Sequence, residues 1–186
     1  MEKEKRKRDV ITPEMRERLL ANREGRLTVS QWLSMTVRPL LWILLLLGAA
    51  LIVFGPRLLV LGTRGLWLIL PALVMVIFVP VIMRARRYAR LPVHFEQLYA
   101  DVPLSPWWRA PVFYDKDDQQ IRFKHRLAPH MPLRIDGTYL VYFLQDGTER
   151  VLLSLAPADH EDADLFRPTE RFWSRYNRRL HDRDLS

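Results

Sequence analysis

Two uncharged and almost wholly apolar runs, residues 40–54 and 66–83, constrain what this chain can fold into more than any other feature. The second is eighteen residues long, so as a helix rising ~1.5 Å per residue it spans about 27 Å, close to the hydrocarbon thickness of a bilayer. The first reaches a similar length when Met35–Pro39 is included, with Arg38 snorkelling toward the headgroups. A helix buried in a water-soluble fold ordinarily keeps one polar face, and neither run has one over its whole length. The expectation is a hairpin of two transmembrane helices, at about 35–54 and 66–83, turning at Thr63-Arg64-Gly65. Leu58–Gly62 either prolongs the first helix or lies at the interface, and Pro71 and Pro80 bend the second. The membrane-interface residues expected from type and position are Trp32, Arg38, Trp67, Arg84, Arg86 and Arg87.

Charge is distributed around these runs in a telling way. The net charge is +8, a value that on a folded domain would point to nucleic acid. Residues 91–186, however, hold 13 basic and 15 acidic side chains. The excess lies before and beside the apolar runs, where basic residues set topology and meet anionic headgroups. The expected partner is therefore a bilayer with anionic headgroups and not nucleic acid. Arginines 23, 26 and 38 on one side, and 84, 86, 87 and 90 on the other, outnumber Arg57 and Arg64 in the stretch between the runs. The expected placement is integral to an inner or plasma membrane, with both termini in the cytoplasm.

The expected organisation has three parts. Residues 1–34 form a basic N-terminal segment with a short amphipathic helix. Residues 35–90 form the hairpin, and residues 91–186 form a β-rich domain with a C-terminal helix. In the first part Thr12 is a natural N-cap, Pro13 suits the first helical position, and Gly25 is a natural stop. Met15, Leu19 and Leu20 give that helix a narrow apolar stripe, which either lies on headgroups or packs on the soluble domain. Thr28 and Gln31 have the spacing of a capping box.

After Arg90 the pattern changes to alternation. Val93–Val102 fits either helix or strand. Ala110–Tyr114 reads as a strand and Asp115–Asp118 as its turn, while Ile121, Phe123, His125 and Leu127 alternate with Arg122, Lys124 and Arg126. Thr138–Leu144 is apolar on both faces, the mark of a central strand, and Asp146-Gly147 is a hairpin signal. Four or five short antiparallel strands suit a small barrel of SH3 or OB type, or a sheet covered by the terminal helix. That helix opens at Pro168, with Phe172, Tyr176 and Leu180 as its inner stripe. This organisation is similar to that of many bacterial membrane proteins.

Chemistry is thinly represented. Cysteine is absent, which removes thiol catalysis and cysteine-ligated metals. His94, His125, His130, His160 and His181 show no metal-ligand spacing, and no Walker, G-x-S-x-G or dinucleotide motif occurs. No catalytic residue, cofactor or metal is expected. The most distinctive local feature is Trp107-Trp108-Arg109, a candidate partner-binding site because Trp beside Arg is typical of interface hot spots. The function expected is that of a non-enzymatic accessory or scaffold membrane protein whose membrane-anchored cytoplasmic β-module recruits or stabilises a protein partner, or which forms a homo-oligomer. The alternatives are a membrane-tethered ligand or metal-ion sensor using Asp159–Asp164 or a barrel mouth, and a small hydrolase with a dispersed site.

Overall fold

A computed structural model describes residues 11–61, 66–100, 112–129, 133 and 137–184. The chain divides into two compact units, one formed by Met1–Gln31 together with Arg90–Ser186, the other by Trp32–Ala89.

The sheet unit begins with helix α1, Pro13–Asn22. Thr12 caps it, its side chain accepting from the Met15 amide at 3.2 Å, and Gly25 leaves it at φ +71°. Met15 and Leu19 are buried against the sheet while Leu20 is exposed. Of the two readings of this stripe, packing on the module is the one the structure shows. The polar side of α1 is also committed. Arg18 donates to the Leu127 carbonyl and to Glu14, and Asn22 Nδ2 donates to Ser154 Oγ at 2.7 Å. Helix α2, Val29–Leu61, starts at a complete capping box. The Thr28 amide donates to Gln31 Oε1 at 2.9 Å, and the Gln31 amide to Thr28 Oγ1 at 3.2 Å. Gln31 Nε2 then reaches the Leu153 carbonyl at 3.1 Å, so the cap also ties this turn to the sheet. Helix α3 is Leu66–Arg90.

Six strands follow: β1 (Val93–Ala100), β2 (Val112–Tyr114), β3 (Gln120–Arg122), β4 (His125–Arg126), β5 (Gly137–Asp146) and β6 (Glu149–Pro157). Their order across the sheet is β3-β2-β1-β5-β6-β4. β5 is central, and Tyr139–Leu144 are buried on both faces. Its hairpin to β6 turns at Gly147, φ +61°, with Asp146 opposite Glu149; a positive φ at the first central residue is the glycine-first turn that matches strand twist.

β3 and β4 are neighbours in sequence yet lie at opposite edges of the sheet. β3 pairs antiparallel with β2, whereas β4 pairs parallel with β6. The sheet must therefore curl until its two edges approach, giving a mixed half-barrel. Phe123, between the two strands and fully buried, fills the interior, its ring 5.7 Å from both Phe113 and Phe143. The segment 121–127, expected as one half-buried strand, is thus two short pieces joined across the opening. Helix α4, Glu170–Asp184, packs Phe172 on Tyr142, and Tyr142 donates its hydroxyl to the Phe166 carbonyl at 2.6 Å.

Two expectations are corrected. The antiparallel SH3- or OB-like barrel is replaced by this mixed, curled half-barrel. The apolar runs lie in α2 and α3, but among the described residues no helix is long and apolar enough to cross a membrane. That finding overturns the two-span hairpin, the integral-membrane placement and the topology built on it. The error has a physical source. A run of Leu, Ile and Val satisfies a lipid-span criterion and a helix–helix seam criterion alike, so apolarity alone does not choose between them.

Candidate interaction surfaces

On α2, the described side chains Val37, Leu41, Leu44, Leu45 and Ile52 are exposed, Leu45 by 63% and Ile52 by 79%. With Gly48 they recur at intervals of three and four residues and so share one face of the helix. Gly48 sits in the middle of this stripe, and a Cβ built on it meets nothing within 4 Å. The result is a shallow notch flanked by large apolar side chains. Trp42 is exposed on another side of the helix, and α3 exposes Met75, Val76, Val79, Ile82 and Met83. Contiguous apolar surface left exposed is common at interaction sites.

Of the interface residues expected from sequence, Trp32 is half-exposed. Arg84 donates to the Tyr88 hydroxyl from Nε at 3.0 Å and Nη2 at 2.9 Å, and Arg86 and Arg87 are exposed. The side chains of Arg38 and Trp67, and all of Trp107, Trp108 and Arg109, lie outside the described residues. Trp32 belongs to α2, and Arg84, Arg86 and Arg87 to α3.

The outer face of α4 is the second surface. Its inner arginines are occupied: Arg175 Nη1 donates to the Glu24 carbonyl at 2.8 Å, and Arg179 Nη1 to the Leu91 carbonyl at 2.7 Å. Arg171, Trp173, Asn177 and Arg178 face outward. Trp173 is 48% exposed, with its ring braced edge-on against Phe172 at 5.1 Å and Tyr176 at 6.0 Å. The inner stripe of this helix, Phe172, Tyr176 and Leu180, is legible from its spacing in the sequence; its outer face is not. The available signal was an aromatic residue off that stripe, since Trp173 directly follows Phe172.

Titratable groups gather around Phe143. His94 stacks on its ring at 5.3 Å, Arg150 lies over it at 5.7 Å, and His94 Nδ1 is 3.2 Å from the Tyr176 hydroxyl. Burial pushes the Glu96 carboxyl above the ordinary glutamate range, with Arg150 opposing the shift and Asp115 adding to it. Burial, reinforced by Glu96, also raises Tyr176. A carboxyl raised in the folded state costs no stability below its unfolded value, and its penalty develops as pH rises through the folded value. Glu96 should therefore cost the sheet unit stability as pH rises above the ordinary glutamate range, and Glu96→Gln should flatten that part of the pH dependence. Thermal midpoints of both proteins at pH 5 and pH 8 measure it; parallel shifts would remove Glu96 as the source.

Among the described residues no group of three or more His, Asp and Glu could hold a metal ion. In the acidic loop His160 Nδ1 accepts the Asp162 amide at 3.0 Å, Asp162 pairs with Arg16, and Asp164 with Arg167. These side chains shape the turn that leads into a short 3-10 helix, Ala163–Phe166. No protein-family model, curated protein or solved structure matches the chain.

Proposed function

We propose that this protein is a non-enzymatic scaffold that pairs through its helical unit with a second copy and uses its sheet unit to recruit a protein partner. The observation that carries this reading is the exposed stripe centred on Gly48. A small residue flanked by large apolar ones lets two helix backbones approach closely, and leucines of one helix then fill the space beside the glycine of the other. A two-fold pairing makes one such stripe serve both partners, since the same patch meets itself. The dense, aromatic-filled half-barrel complements this role as a rigid platform.

The chain has no cysteine, so a single Leu45→Cys reporter gives a clean test. Oxidation of the full-length protein should yield a disulfide-linked dimer. Adding Gly48→Leu should cut that yield about tenfold or more, because the notch is filled in each copy. The helix itself should be unharmed, as the new side chain meets open space and leucine is the better helix former. Monomers in both backgrounds, or a stripe covered only by detergent, by lipid or by a different protein, would overturn the reading.

A further inference from the structure

We propose that the outer face of α4 is the recruiting surface, and that it takes an acidic amphipathic helix of a partner protein. The inference rests on the scaffold reading for its purpose but on separate residues for its geometry.

Arg171, Ser174 and Arg178 recur at three- and four-residue spacing and form one row along the exposed side of the helix. The two guanidinium groups spring from positions about 10.5 Å apart along the axis, two helical turns. Among the described residues neither takes part in an ion pair, in contrast with Arg16, Arg18 and Arg167. Trp173 lies between them along the axis and one step around it. Its ring is already held by Phe172 and Tyr176, so little freedom is lost when a partner covers it. Trp and Arg together are the residue types that dominate interface hot spots.

This arrangement sets the chemistry of the occupant. Two carboxylates seven residues apart on one helix match the arginine spacing, and an apolar side chain between them meets Trp173. Carboxylate is favoured because guanidinium groups receive it in paired hydrogen bonds. Glu170, three residues before Trp173, repels acid at the amino end of the other row and so favours one orientation of the guest.

The test uses full-length protein and a synthetic 15-residue helical peptide with two glutamates seven residues apart and leucines between them. A matching peptide with glutamines in place of the glutamates is the control. Calorimetry should show saturable binding of the glutamate peptide and at least a tenfold weaker response to the glutamine peptide. Arg171→Ala with Arg178→Ala, and separately Trp173→Ala, should each weaken binding about tenfold with unchanged circular dichroism. The Gly48→Leu protein should bind the peptide as the unaltered protein does, which separates failure of this inference from failure of the pairing proposal. Equal binding of both peptides, no effect of the variants, or equal affinity for a single-stranded oligonucleotide of the same charge would overturn it. So would dissociation of the dimer by the arginine substitutions, which would place a second copy on this face.

Discussion

Phe123→Ala is expected to destabilise the sheet unit by about 3–5 kcal/mol, the range for removing a fully buried aromatic ring from a close-packed core. Phe123 is fully buried and touches rings from β2 and β5, Phe113 and Phe143. Its backbone carries the chain from one edge of the sheet to the other. Truncation therefore opens a cavity at the point that holds the curl, and collapse of the neighbours would require β3 and β4 to move together. Chemical denaturation followed by far-ultraviolet circular dichroism measures the loss, with Phe123→Leu as the milder control at roughly one third of the cost. A change within 1 kcal/mol for the alanine variant would show that the half-barrel does not depend on this ring.

The second large effect concerns Asn22. Its side chain is wholly buried and donates to Ser154 Oγ at 2.7 Å. Asn22→Asp keeps the shape and replaces the donor with a carboxylate. Arg18, one turn earlier, commits Nη1 to the Leu127 carbonyl and Nη2 to Glu14, which leaves its buried Nε as the one unpartnered donor of that side chain. An ionised carboxylate left there is expected to cost about 3–5 kcal/mol at pH 7. Burial raises the folded-state pKa of that aspartate above its unfolded value of about 3.9. The penalty is therefore present at neutral pH and disappears as pH falls through the folded value toward the unfolded one. Unfolding curves at pH 7 and pH 4.5 should show the variant recovering relative to the unaltered protein. Asn22→Ala should lose about 1–3 kcal/mol at both, from the unsatisfied partner alone. If the aspartate variant showed no such recovery, the site would be wetter than its burial indicates.

Much of the local structure was legible from residue types whose chemistry is short-range. Thr12 with Pro13, Thr28 with Gln31, and Asp146-Gly147 each specify a cap or a turn through their own backbone, and each is found where the sequence puts it. Thr138–Leu144 announced a central strand because both faces are apolar, and β5 is central. The failures are all long-range. Strict alternation over 121–127 says that one face is buried but not that the pairing partner changes midway, from β2 to β6. The apolar runs near 40–54 and 66–83 say that water is excluded but not by what. Gly48 carries no signal of its own in the sequence, and its meaning emerges only when the space around it is known.

The hold of Asn22 on Ser154, and of Gln31 on Leu153, has a consequence for how the protein is made. More than a hundred residues separate each pair, so α1 leaves the ribosome long before its seat on β6 has been synthesised. During that interval Met15 and Leu19 have no native cover, and the module can close only once its last hairpin emerges. A fragment starting at Leu91 would be permanently in that state, with the β6 side of its sheet bare, and would need α1 supplied in trans to become fully ordered.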